Sequence, residues 1–269
     1  EAFYRYYQHG PLARTVLSQL QVQGLDYNYT LQGWLKGINA SAVRPSYDPG
    51  LDGGGTGSSP NRYVGSDNFG LTLNYFRGDY TPINTTADPY PDHVPYMPVD
   101  RHYNALYNGN ISSMMFSMPL RFFGHLYNYK YDQLNRLVSM DVSRNFSSDD
   151  NHWHNMVATD LHMEKYSYDA NGNITTVLRN GNLSENMLMD SLTYFYTPGT
   201  NRLDHIRDKY FGSAAHSDNY NARIDIRDQP AGSYTYDATG NLKSSLWMGD
   251  DTIRWNIYGK VTEVVKRAL

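Results

Sequence analysis

The chain has 269 residues and a formal charge of −4 at neutral pH, with basic residues scattered singly, which argues against a nucleic-acid partner. It has no cysteine, so disulfides, thiolate zinc sites and a thiol nucleophile are excluded, and no apolar run is long enough for a membrane-spanning helix. Tyrosine occurs 25 times against 9 phenylalanines and 4 tryptophans, a bias that suits half-buried pleated surfaces and predicts an all-β chain rich in turns.

In chain order, Tyr4 and Tyr6 are followed by Gly10 and Leu12, and Tyr27 and Tyr29 by Gly33 and Leu35. Two tyrosines one residue apart lie on the same face of a strand. Next, the stretch 44–66 carries Gly50, Gly53, Gly54, Gly55, Gly57 and Gly65 and predicts a flexible surface loop. Asp48, Asp52 and Asp67 lie in or beside it, without the alternating acidic spacing and terminal Glu of a calcium loop. No Lys-Ser/Thr follows the glycines, so a phosphate cradle is excluded as well.

The clearest units come later. Tyr129-Lys130-Tyr131-Asp132 leads to Asn135-Arg136-Leu137, Tyr166-Ser167-Tyr168-Asp169 to Gly172-Asn173-Ile174, and Tyr234-Thr235-Tyr236-Asp237 to Gly240-Asn241-Leu242. Tyr194 and Tyr196 precede Asn201-Arg202-Leu203 with one extra residue, and Trp255 precedes Gly259 and Val261. Asp after the second aromatic, with Gly or Asn three residues on, predicts a type I turn closed at positive φ. The aspartate accepts turn amides, while Gly or Asn enters the left-handed region with little strain. Each unit is therefore a β-hairpin with its tyrosines on one buried face. Variable spacing between units excludes a solenoid of one fixed period and suits a sheet built hairpin by hairpin.

Three arrangements invite a chemical reading. His152 and His154, with Asp160 and His162, have the ligand types of a metal site, yet nothing in the spacing makes the two pairs converge, and a solvated insertion is the plainer reading. Asp132, Asp169 and Asp237 recur as a glycosidase's carboxylates would, but a turn already needs them there. No Gly-x-Ser-x-Gly elbow is present. The expectation is thus no catalytic residue, no cofactor and no metal. Outward-facing tyrosines could stack on sugar rings.

The Tyr-x-Tyr-Asp-x-x-Gly-Asn-Leu and Asn-Arg-Leu units resemble the YD repeats of RHS proteins, Tc-toxin shells and teneurins. Asp26-Tyr27-Asn28-Tyr29 leading into Gly33-Trp34-Leu35, Phe69 to Tyr75, and Tyr107 to Ile111 resemble the Bacteroidetes branch of bacterial RHS proteins. The resemblance covers most of 1–269, leaving insertions near 43–66, 82–100 and 143–162. It implies a continuous, twisted antiparallel sheet of successive hairpins, part of a spiral shell. The implied function is a non-catalytic scaffold, secreted or at the cell surface, around a C-terminal toxin or effector domain of the same polypeptide. The alternatives are a surface carbohydrate-binding or adhesion module and, third, a glycan-cleaving enzyme. Beginning at Glu1 and ending in mid-pattern at Leu269, the chain is expected to be a piece of a longer polypeptide.

Overall fold

The computed structural model describes residues 1–54, 60–82, 88–98, 101, 103–118, 122–181, 187–209, 226, 228–246 and 250–266. Among the described residues the tyrosine pairs of the repeats form strands and the Asp/Asn/Gly segments after them form turns. The strands are β1 (Ala2–Tyr6), β2 (Leu12–Leu17), β3 (Gln23–Tyr29), β4 (Leu35–Ile38), β5 (Gly70–Asn74) and β6 (Ser113–Met118). Then follow β7 (Phe122–Tyr131), β8 (Leu137–Ser147), β9 (His152–Tyr168), β10 (Ile174–Asn180), β11 (Leu188–Tyr196) and β12 (Leu203–Asp208). The last four are β13 (Tyr234–Tyr236), β14 (Leu242–Ser245), β15 (Asp250–Trp255) and β16 (Val261–Lys266). The hydrogen-bonded order follows the sequence, β1 to β12 in one sheet and β13 to β16 in another. Among the described residues the only helical segment is one 3-10 turn, Val94–Tyr96. The fold is all-β and antiparallel, built from successive hairpins.

Every predicted repeat closes on the same rung. The second aromatic faces the apolar residue after the turn: Tyr6 faces Leu12, Tyr29 Leu35, Tyr131 Leu137 and Tyr168 Ile174. Likewise Tyr196 faces Leu203, Tyr236 Leu242 and Trp255 Val261. A register shift accompanies each of these rungs, as expected of a bulge that adds twist at a hairpin end. The turns have the predicted chemistry. Asp169 Oδ1 accepts from the amides of Asn171 and Asn173 at 2.9 and 2.8 Å, and Asp237 Oδ1 from Thr239 and Asn241, both at 2.9 Å. Asn256 does the same for Tyr258 and Lys260 at 2.9 and 3.0 Å. Gly172 and Gly240 sit at φ 91° and 95°, and Asn135 takes the equivalent place at φ 61°.

Successive hairpins also join by one rule. Six ring donors reach a backbone carbonyl of the preceding hairpin, at the first residue of its returning strand or, for Ile111, two residues before it. Tyr29 Oη donates to Leu12 O at 3.0 Å, Tyr75 to Leu35 at 2.9 Å and Tyr131 to Ile111 at 3.0 Å. Tyr196 donates to Ile174 at 2.8 Å, Tyr236 to Leu203 at 3.0 Å, and Trp255 Nε1 to Leu242 at 2.7 Å. At four seams the residue three past that carbonyl faces the residue four before the aromatic. The rungs are Thr15 with Leu25, Ile38 with Leu71, Met114 with Tyr127, and Val177 with Leu192. At the β14–β15 seam Ser245 faces Asp250, one residue out.

The chain divides into two compact units, Glu1–Asp160 and Leu161–Leu269, with β9 running across the division. In the second unit the tyrosine face is the core: Val177, Leu192 and Ile206 are buried, with Tyr166, Ile174, Tyr194 and Leu203 packed on them. The first unit departs from the expectation of one buried, tyrosine-bearing face. Tyr27 and Tyr29 are half-buried while Asp26 and Asn28, on the other face of β3, are buried. That face is covered by the long connections, which supply Asp48, Asp52, Tyr80, Tyr90 and His93 to it. An apolar cluster of Met115, Leu126, Trp153 and Met156 completes the first unit's core. Residues 143–162 hold the far halves of β8 and β9, so most of that stretch is paired strand.

Candidate functional site

Arg14 on β2 and Asp26 on β3 are cross-strand partners on the face away from the tyrosines. That placement follows from the seam register, which sets Thr15 against Leu25 one residue earlier. The guanidinium Nη1 bonds Asp26, and Nη2 bonds both oxygens of Asp52 at 2.6 and 2.8 Å. Asp52 comes from the glycine-rich stretch, and its own amide donates to Asp48 Oδ2 at 2.9 Å. Asp67 completes the group through a side-chain hydrogen bond with Asp48. Asp48 and Asp52 are each 1% exposed. The described part of 43–66 carries no strand or helix, and within it Val43, Asp48, Asp52 and Val64 are buried while Arg44, Pro49 and Tyr63 are exposed.

Close approach explains Gly50 of this stretch and Gly24 on β3. A Cβ on Gly24 would lie 2.1 Å from Asp52 Oδ2, and one on Gly50 2.1 Å from Arg14 Nη1. Gly50, one of the glycines that suggested flexibility, thus lets backbone close on an ion cluster.

Four buried carboxylates around one guanidinium cannot all stay ionised cheaply. Burial first, then the charge of Asp48, pushes Asp26 up to about 7 in spite of Arg14. Asp67 is also raised, by burial and then by Asp48, so it keeps its proton and donates it to Asp48. Burial raises Asp48 and Asp52 too. Asp48 Oδ1, Asp67 Oδ1 and Arg14 Nε are buried without a hydrogen-bond partner among the described residues.

Asp26, Asp48 and Asp52 each bring a carboxylate oxygen within 4.8 Å of the others. They are the residues that could hold a cation, and Arg14 already sits against two of them. Asp48, Asp52 and Asp67 lack the spacing of a calcium loop, and they converge without it. The only signal for the cluster in the sequence is the placement of Arg14 and Asp26 on the non-tyrosine face of adjacent strands. The histidines fare differently. His154 pairs with Asp150 at 2.6 Å, His152 packs edge-on against Tyr96, and Asp160 bonds Arg101 at 3.3 Å. Among the described residues they form no ligand set.

Beside the cluster opens a cleft of about 520 Å³ lined by Tyr7, His9, Tyr29, Tyr80, Asn28 and Asp48, among others. The Tyr7 and His9 rings stack at 5.3 Å. Asn28 Oδ1 accepts from Tyr80 Oη at 3.1 Å and its Nδ2 donates to Tyr90 Oη at 2.8 Å. A second buried polar group lies nearby, where Lys36 bonds Asp79 at 2.8 Å and Asn74 at 2.7 Å. His93, held down at about 4 by burial and then by Lys36, contacts Ser113 Oγ at 3.2 Å. Ser113 is fully buried, while Lys36, Asn74, Asp79 and His93 line a second cleft of about 440 Å³. Asp132, Asp169 and Asp237 are at their turns, bound to the amides described.

No protein-family model and no curated protein matches the chain. Among solved structures it is similar to that of TcdB2-TccC3 without the hypervariable C-terminal region, at 12% identity and a TM-score of 0.49 over 99% of this chain. It is also similar to TcdB2-TccC3-Cdc42, at 14% identity and a TM-score of 0.37 over its full length. The chain spans only 11% and 12% of the length of those two chains.

Proposed function

We propose that this chain is a non-catalytic length of wall in a hollow β-shell, of the RHS/YD-repeat kind, enclosing a toxin or effector domain of the same polypeptide. On this reading the polypeptide is secreted or displayed at the cell surface. The observation that carries it is the shared seam: at six of the seven junctions between successive hairpins a ring donor fastens one hairpin to the one before. A fixed seam lets a sheet grow by addition of units, which is what a container wall needs. The chemistry-bearing residues support a structural role. The patterned aspartates are occupied by turn amides, and of the four clustered carboxylates only Asp48 lines the cleft. Cryo-electron microscopy of the polypeptide from its full reading frame tests the proposal. This segment should form wall around enclosed density; solvent on both faces would overturn it.

One observation favours a second reading, a surface carbohydrate-binding module. The cleft combines ring faces of Tyr7, Tyr29 and Tyr80 with an amide, the pairing of stacking and polar groups that saccharides use. Titration with a glycan panel, read by tyrosine fluorescence, separates it from the first.

A further inference from the structure

We infer that Lys36 and Asn74 are the precursors of an isopeptide bond, which the chain forms on itself between the neighbouring strands β4 and β5 with release of ammonia. Lys36 stands on β4 and Asn74 ends β5, and Gly37 opposite Thr72 sets the two strands in antiparallel register. That register brings the side chains together. Lys36 Nζ donates to Asn74 Oδ1 at 2.7 Å and to Asp79 Oδ1 at 2.8 Å. The carboxamide carbon is one bond beyond the oxygen that the amine already touches. Lys36, Asn74 and Asp79 are each less than a tenth exposed. An amine, a carboxamide and a carboxyl group held in contact away from bulk water are the reactants and the acid–base catalyst of an aminolysis.

The surroundings favour the amine and hold the leaving group. Burial lowers the Lys36 amine from its ordinary value against the opposing charge of Asp79, and a desolvated, neutral lysine is a nucleophile. Asn74 Nδ2, the atom that must leave, donates to Ser113 Oγ at 3.0 Å, which keeps the carboxamide oxygen toward the lysine. The step balances without a co-reactant. The Lys36 ammonium gives a proton to the Asp79 carboxylate, and the freed lone pair attacks Asn74 Cγ. Asp79 passes its proton to Nδ2 and takes a second one from Nζ. The Cγ–Nδ2 bond then breaks, and ammonia departs through the cleft that Lys36, Asn74 and Asp79 line. A neutral amide replaces the buried ammonium and Asp79 ends protonated, which relieves the desolvation cost of the ion pair. The link joins residues 38 apart in the sequence, across the glycine-rich connection. It forms once per chain and is independent of what the wall encloses.

The test is tandem mass spectrometry of a tryptic digest of the purified, folded 269-residue chain. Trypsin cuts at Arg62, between the two residues, so their peptides separate unless they are bonded. The expected product is a branched peptide joining the Lys36 and Asn74 segments, uncut after Lys36 and lighter than its parts by one ammonia. The intact chain should show the same deficit from its sequence mass. A succinimide at an Asn-Gly step also loses ammonia, but gives no branch. Lys36→Arg keeps a buried cation without a competent nucleophile and should restore the full sequence mass. Asp79→Asn, close in shape but unable to carry the proton, should leave most chains linear. Linear Lys36 and Asn74 peptides alone, from parent chain shown to be folded by circular dichroism, would overturn the inference whatever the variants do. A deficit that persists in Lys36→Arg would likewise overturn it, and full branching in Asp79→Asn would overturn the part given to Asp79. Failure of the shell reading appears elsewhere, as absent enclosed density.

Discussion

The hydroxyl of Tyr196 donates to the carbonyl of Ile174 at 2.8 Å, joining two hairpins through a side chain as well as a backbone ladder. Tyr131 makes the same bond to Ile111. The seam therefore depends on a phenolic oxygen, and an aromatic ring alone does not replace it.

Tyr131→Phe and Tyr196→Phe should each lower stability by about 1 kcal/mol, the usual worth of such a bond. The sites are in different units and share no partner, so the double variant should lose about the sum. Urea denaturation at neutral pH measures this. Wild-type stability in both single variants would show that the bonds are incidental.

A Cβ added to Gly172 would meet nothing within 4 Å, so the requirement for glycine there is one of backbone conformation alone. Gly172→Val should cost more than about 1 kcal/mol, because a β-branched residue resists positive φ. Gly172→Asn should cost far less, as Asn135 already holds that place in a sister turn. Thermal melts of the two variants give the comparison; equal losses would refute the turn assignment.

Turn aspartates and clustered aspartates should respond to pH with opposite sign. Asp132, Asp169 and Asp237 are held below the ordinary carboxylate value, Asp237 at about 2, by hydrogen bonds to Arg136, Asn173 and Thr239 among others. Their contribution is complete above the unfolded value near 3.9 and is lost as pH falls through the depressed ones. Asp169→Asn/Asp237→Asn should thus flatten the acid side of a melting-temperature profile. At neutral pH it should melt close to the parent, since Asn256 makes the same turn contacts. A steep acid loss unchanged by the double substitution would contradict this.

Asp26 and Asp67, by contrast, bind more protons folded than unfolded. Their unfavourable contribution grows as pH rises from about 4, through about 7 for Asp26 and beyond for Asp67. Asp67→Asn keeps a donor toward Asp48 but cannot ionise, so it should raise the melting temperature at pH 9 and leave it near the parent's at pH 5. Arg14→Met should destabilise by about 3–5 kcal/mol at neutral pH by leaving buried carboxylates uncompensated. A parent whose stability is level from pH 5 to 9 would rule out the raised values.

The hairpins are legible in the sequence because their chemistry is local. Tyr131, Asp132, Asn135 and Leu137 fall within a few residues, and period two together with turn geometry determines what each must do. The β5–β6 hairpin is visible there only as pieces, because residues 76–106 separate Tyr75 from its turn at Gly109. The Arg14 cluster is not legible, since its members are brought together by the seam register and by the packing of 44–54. Composition is silent on that packing: a glycine that signals a loop also serves where a Cβ would strike an ion pair, as at Gly50.

The setting of register hairpin by hairpin has an evolutionary consequence. Seven hairpins carry a bulge beside the turn and β5–β6 pairs without one, yet in both cases a change of length in one connection is not passed on to the next unit. The segment 76–106 interrupts one hairpin, and the following seam still sets Met114 against Tyr127. Turns of this chain are therefore ports at which new sequence can be grafted and selected without renegotiating the sheet. Diversity should collect there, while Tyr-x-Tyr pairs and the carbonyls they reach stay constrained.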